Sequence, residues 1–181
     1  ASRAKHCETS GRDTLNLRTA QGAASMILSS TDPGLVAFLK ESNRIEGITR
    51  DPHPQELSET AKFLDLDTVG LDDLRRLALI YASGRGILRE RIGMDVRVGN
   101  HIPQRGGPSV RRELVKLLDD LADPDISPFE WHTQYETLHP FMDGNGRTGR
   151  AIWAWSMFKR GHERWLEIGF LTEWYFDSLY A

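Results

Sequence analysis

Apolar side chains return every three or four residues along most of this chain, the spacing that sets them on one face of a helix. Val110, Leu114, Leu117, Leu118 and Leu121 form one such stripe and predict a helix over 108–124. Ser127, Pro128 and Glu130 open another over 127–138, as a capping box with proline at the first helical position. Asp32 and Pro33 predict the cap and first turn of a helix that Gly47 closes. The same period runs through 54–67, 71–84, 150–161 and 165–180, and through 14–30 with a weak point at Gly22. One stretch breaks it. Between 93 and 108, Val96 and Val98 flank Arg97, and Gly99-Asn100 is a turn signal. A short β-hairpin or extended flap is expected there, with an ordinary connecting loop as the alternative. No repeat and no long linker interrupts the pattern. The expectation is an all-α single domain over 1–181, a helical bundle with one short hairpin.

Composition narrows the class. Apolar residues make up 39% of 181, enough for a core, and 23 basic against 26 acidic residues leave a formal charge of −3. That balance lacks the concentrated cationic excess of a nucleic-acid footprint. No apolar run approaches the roughly 18–20 residues of a membrane span, and the polar first 13 residues do not resemble a signal peptide. A single cysteine, Cys7, excludes an internal disulfide framework and suits a reducing compartment, so a cytoplasmic protein is expected.

The chemistry concentrates in LHPFMDGNGRTGR, residues 138–150. Gly144 and Gly146 let backbone N–H groups turn toward a ligand. The helix expected to begin near Arg147 adds free N–H groups and the positive end of its dipole. Together they suit an anion, phosphate above all. Arg147 and Arg150 lie three apart, on one face of that first turn, where two cations oppose the dipole unless an anion joins them. Asp143 is placed to hold Mg²⁺, which takes few protein ligands and several from phosphate and water. His139 is the one group here that exchanges a proton readily near neutral pH. Phe141 is the expected buried anchor. The set reads as a nucleoside triphosphate site with a general base at its rim.

The stretch HPFMDGNGRTGR resembles the signature of the Fic family, H-P-F-x, Asp or Glu, G-N-G-R-x-x-R, and matches every defined position. The resemblance covers about 35–165 and implies the Fic fold. It implies transfer of AMP from ATP to a Tyr, Thr or Ser hydroxyl of an unknown protein target, with self-modification allowed. His139 would deprotonate that hydroxyl and Asp143 would hold Mg²⁺. Asn145, with the amides of Gly144 and Gly146, would stabilise the phosphates. Arg147 and Arg150 would take the β and γ phosphates. The hairpin, with Val98, Gly99, Asn100, His101 and Ile102, would be the flap that aligns the target by strand pairing.

A second feature sits on the helix from Gly34. Leu35, Leu39, Ser42 and Glu46 share one face, and the leucines make it the inner one. Glu46 is then a carboxylate turned inward at the helix end that disfavours it, and Arg147 and Arg150 are the conspicuous cations that could meet it. The alternative is an exposed helix-end glutamate beside Arg44 and Arg50. SNRIEG, residues 42–47, also resembles the family's inhibitory motif: Ser or Thr, three free positions, Glu, then Gly or Asn. That resemblance implies a Glu46–Arg150 salt bridge which denies the γ-phosphate its arginine, over an inhibitory helix spanning 32–47. It also allows Glu46 to assist removal of AMP from a modified target. Two other functions stay open. One is phosphate transfer of the death-on-curing type, whose members carry lysine where this chain has Gly146. The other is a nucleotide-sensing or partner-binding module with little catalysis. His101 is expected at an exposed hairpin tip, His132 in packing, and His53 and His162 in loops. The aromatics from Trp165 to Tyr180 are expected in the core, an exposed subset giving a homodimer or partner surface.

Overall fold

The computed structural model describes residues 28–161. Cys7, His162, the aromatics from Trp165 onward and nearly all of the expected 14–30 helix lie outside them, and the last three residues of that helix, 28–30, are not helical. Six helices follow: α1 (Pro33–Ile45), α2 (Pro54–Asp65), α3 (Leu71–Tyr81), α4 (Pro108–Asp119), α5 (Pro128–Leu138) and α6 (Asn145–Lys159). The all-α expectation holds.

The starts are chemical. Asp32 accepts from the N–H groups of Gly34 and Leu35, with Pro33 completing the first turn of α1. Ser127 Oγ accepts from Glu130 N at the start of α5. At α2 the structure corrects the reading of His53 as a plain loop residue. His53 is the N-cap: its Nδ1 accepts from Gln55 N, and Glu56 reaches back to His53 N at 2.7 Å.

α6 is the axis. Every residue from Arg147 to Ser156 is buried, and α1, α2, α3 and α5 all pack against it. A helix closed in on all sides has no solvent face to spend on polar residues, so the two arginines at its start need partners inside the protein. Tyr135 and Leu138 of α5, Leu74, Leu77 and Ala78 of α3, and Leu35 and Leu39 of α1 belong to the same apolar core as Ala151, Ile152 and Trp155. Trp155 Nε1 donates to Leu66 O at 2.8 Å, satisfying the polar edge of a large ring inside the core.

The expected hairpin is reduced to its turn. Val98 and His101 exchange both backbone hydrogen bonds, at 3.0 and 2.9 Å, around Gly99-Asn100. The described residues extend this single bridge no further, and Pro108 already belongs to α4. A second isolated bridge, Leu88 with Phe141, ties the segment after α3 to the loop between α5 and α6.

Candidate active site

The loop 139–144 is shaped by residues that give up ordinary backbone geometry. α5 ends at His139, which sits in the left-handed region (φ 47°, ψ 63°). A side chain with a Cβ is held there only when its surroundings insist. Arg89 supplies that insistence. Fully buried, it donates to the carbonyls of His139 at 2.7 Å and Leu138 at 2.9 Å, and to Gln104 at 3.0 Å and Met94 at 3.2 Å. One guanidinium thus closes the negative end of α5 and pins both limbs of the flap segment. Nothing in its sequence neighbourhood separates Arg89 from the other arginines, and the sequence reading missed it.

Phe141 is fully buried and its backbone is clasped by Asn145, whose Oδ1 accepts from Phe141 N and whose Nδ2 donates to Phe141 O, both at 2.8 Å. The sequence reading gave Asn145 to the phosphates; in the structure its amide holds the turn. It also moves the helix start: α6 begins at Asn145, two residues ahead of expectation. Asn145→Ala strands a buried N–H and C=O and should cost about 2–4 kcal/mol. Thermal or denaturant unfolding measures this, and a variant as stable as wild type would contradict it.

Gly144 takes φ +85°, which glycine adopts without strain, and turns the chain into α6. Asp143 Oδ1 accepts from Gly144 N at 2.7 Å, and Oδ2 is 3.0 Å from Arg85 Nε. The described residues hold no cluster of three His, Cys, Asp or Glu side chains fit for a metal. Asp143 is one carboxylate beside the start of a helix, a donor set that fits Mg²⁺ only if phosphate and water complete the shell and Arg85 yields.

The two arginines part company. Arg150, fully buried, donates through Nε to Ser42 Oγ at 2.9 Å and through Nη2 to Ser42 O at 2.9 Å and Glu46 Oε1 at 2.7 Å. Arg147 turns the other way, 3.5 Å from Glu56 and 5.5 Å from the centre of the Tyr81 ring. The resemblance paired Glu46 with Arg150, and that pair is present; Arg147 has a carboxylate of its own, Glu56. Glu56 is buried, which by itself would raise its pKa. The paired N–H groups of Arg50, which donate to both its oxygens, the His53 N–H and the charge of Arg147 outweigh that and hold it below the usual carboxylate value.

Glu46 lies where its helical phase points, with a refinement. It is the C-cap of α1, not part of the helix, and its side chain is 38% exposed rather than buried. Its carboxylate also sits directly over Gly146, so that a Cβ at that position would collide with Oε1. The carboxylate therefore occupies the mouth of α6's first turn, against Arg150, as a phosphate oxygen would.

His139 is 16% exposed. Burial first, then the charge of Arg89, holds its pKa down at about 4, so the ring is neutral near pH 7 and keeps one nitrogen free to accept. The other expected contacts divide. His101 is tied to the core side of the flap by a 2.9 Å bond between Nε2 and Thr137 O, not free at the tip. Ile102 is 70% exposed on the same segment. His132 is fully buried, as expected, with its pKa pushed down to about 3 by burial and then Arg150.

These groups set a pH dependence of stability. His132 and His139 stay neutral in the fold and take up protons when unfolded near their ordinary 6.5, so stability is lost as pH falls through that window. Glu136 works oppositely. Burial raises it to about 7, so it keeps its proton in the fold and loses it on unfolding above about 4.5, and stability is lost as pH rises. Two protons against one leave a net loss of about 1.4 kcal/mol per unit of acidification between pH 6 and 5. Chemical denaturation at the two pH values checks this, and a flat or inverted profile would contradict it.

A model of the Fic/DOC family matches residues 64–157, just over half of the chain, and runs from α3 through most of α6 with the whole 138–150 stretch. The chain belongs to the Fic/DOC family. Fic enzymes are transferases that use ATP with a metal ion, and the helical architecture here is that of the Fic fold. The match begins after α1, so Glu46 and Ser42 lie outside it.

Proposed function

We propose that this Fic protein is a protein adenylyltransferase, moving AMP from ATP to a Tyr, Thr or Ser hydroxyl of a target protein, and that Glu46 holds it in check. The observation that carries the reading is the Glu46 carboxylate, 2.7 Å from buried Arg150 and over Gly146. An anion already stands where the first turn of α6 offers its unpaired N–H groups and its dipole. A triphosphate carries the same chemistry with more charge, and Arg150 is built to receive oxygen anions in pairs.

In this reaction the hydroxyl gives its proton to the free nitrogen of His139. The hydroxyl oxygen bonds to the α-phosphorus, the bond from that phosphorus to the bridging oxygen breaks, and pyrophosphate leaves. His139 suits the role because its neutral ring has an open acceptor at neutral pH and its backbone is fixed by Arg89. The first-turn amides of Gly146 and Arg147 face developing phosphate charge, which is where such transfers gain most. Asp143 would hold Mg²⁺ together with phosphate oxygens, and that ion when bound neutralises charge on the triphosphate. The flap, with Val98 bridged to His101 and Ile102 outward, presents backbone for an extended target segment. α1 then acts as an inhibitory element of the same domain. Gly146 leaves no lysine at the position that marks phosphate transfer in the related toxins.

The test is which phosphate labels protein. The Glu46→Gly variant, given target lysate and Mg²⁺, should transfer label from α-labelled ATP and none from γ-labelled ATP. Label from the γ position alone would replace this reading with phosphate transfer, and no label from either would leave a binding module.

A further inference from the structure

Glu136, one turn before His139, has no part in the scheme above and an arrangement that asks for one. Its side chain is 15% exposed, and Oε1 is enclosed with no hydrogen-bond partner. Such a group is expensive to bury and is ordinarily satisfied. Room for it is made on purpose: a Cβ at Gly149 would collide with Glu136 Oε1 and press on His132 and Tyr135. Gly149 falls on a position the signature leaves open, so this carboxyl gives a reason for a glycine that phosphate binding does not. The other oxygen, Oε2, lies 3.9 Å from His139 Nδ1.

We propose that Glu136 is a positioning residue for His139, its carboxylate supplying the countercharge when the ring takes the hydroxyl proton. The inference rests on His139 acting as the base of the proposed transfer. It answers a difficulty in that scheme. A ring enclosed by protein and facing Arg89 and His101 resists protonation, yet a base must hold a proton in the transition state. A carboxylate about 4 Å away in a partly buried site offsets that resistance, at a range where charges couple strongly.

The groups around Glu136 come from three elements. His132 Nε2 is 4.0 Å away on α5, with His139 at the end of the same helix. Arg150 of α6 favours the ionised carboxyl, whereas Glu46 of α1 and, above all, burial oppose it, leaving a midpoint of about 7. Glu136 therefore changes charge across the pH range in which a protein transferase works. Below it the carboxyl is neutral and gives His139 no help; above it the countercharge is in place.

The test measures kcat and KM against pH for the full chain carrying Glu46→Gly, alone and with Glu136→Gln or Glu136→Asp, while carbon-13 NMR follows the Glu136 carboxyl. ATP titrates in the same range, so the comparison between variants carries the result. At pH 8 Glu136→Gln should lower kcat tenfold or more, on the order expected for losing a charge at this distance, with KM for ATP unchanged. At pH 6 the two proteins should coincide, which a structural defect would not produce. Glu136→Asp should recover part of the rising limb. A carboxyl midpoint near 4.5, or an unchanged pH profile in Glu136→Gln, overturns the inference and leaves adenylyl transfer standing. Absence of transfer in Glu46→Gly at every pH overturns adenylyl transfer, and this inference with it.

Discussion

Replacing His139 by Asn in a Glu46→Gly background is expected to reduce AMP transfer by about 10²–10⁴-fold, the usual contribution of a positioned general base. Asn is the informative substitution because position 139 is left-handed (φ 47°) and asparagine tolerates that backbone better than alanine. The Arg89 bond to the 139 carbonyl involves no side-chain atom of residue 139 and should survive. Nucleotide affinity should therefore stay within about twofold of the parent, since the proposed phosphate contacts belong to α6. Radiolabel incorporation and calorimetry separate the two quantities. Transfer that persists at parent level would remove His139 from the mechanism; affinity lost in step with transfer would make it a binding residue.

Glu46→Gly is expected to raise transfer by about tenfold to a hundredfold, the range of a coupling free energy between competing ligands. It should also cost a little stability. Arg150 is fully buried and loses a carboxylate 2.7 Å away, a change that can cost several kcal/mol when the remaining charge is stranded. Here it is not stranded, because Ser42 still accepts from Nε and Nη2, and the departing carboxylate is 38% exposed and screened by water. A loss of about 1 kcal/mol is the expected size. Activation with a small loss of stability marks a contact that serves control rather than folding. Initial rates and denaturant midpoints on the same preparations measure both, and an inactive variant of wild-type stability would contradict the inhibitory role.

What could be read from the sequence follows from which interactions are local. Asp32 and Pro33, Ser127 and Pro128, and the Gly99-Asn100 turn act within a few residues of themselves, and each does in the fold what its neighbours imply. The inward phase of Glu46 was likewise set by Leu35 and Leu39 on its own helix, although the reach to Arg150 spans more than a hundred residues. Much of what was missed is charged groups whose partners come from elsewhere in the chain. Arg89, Glu56 and Glu136 look like any surface residue of a helical chain until folding removes their water. The motif places Asn145 at a ligand but does not show that its amide also satisfies the backbone of Phe141. His53 looked idle between two prolines because a histidine cap is rare beside the usual Ser, Thr, Asp and Asn. Gly149 carried the one usable sign of Glu136: a glycine buried within a helix costs propensity and requires a neighbour that needs the space.

The account depends on competition between the Glu46 carboxylate and the end of a triphosphate for Arg150. Calorimetric titration of wild type and Glu46→Gly with MgATP and with MgADP tests that directly. Wild type should bind the two nucleotides with similar affinity, because Glu46 already holds the arginine proposed for the last phosphate. Glu46→Gly should gain a clear preference for ATP, about tenfold or more. The same ratio of ATP to ADP affinity in both proteins would contradict the claim.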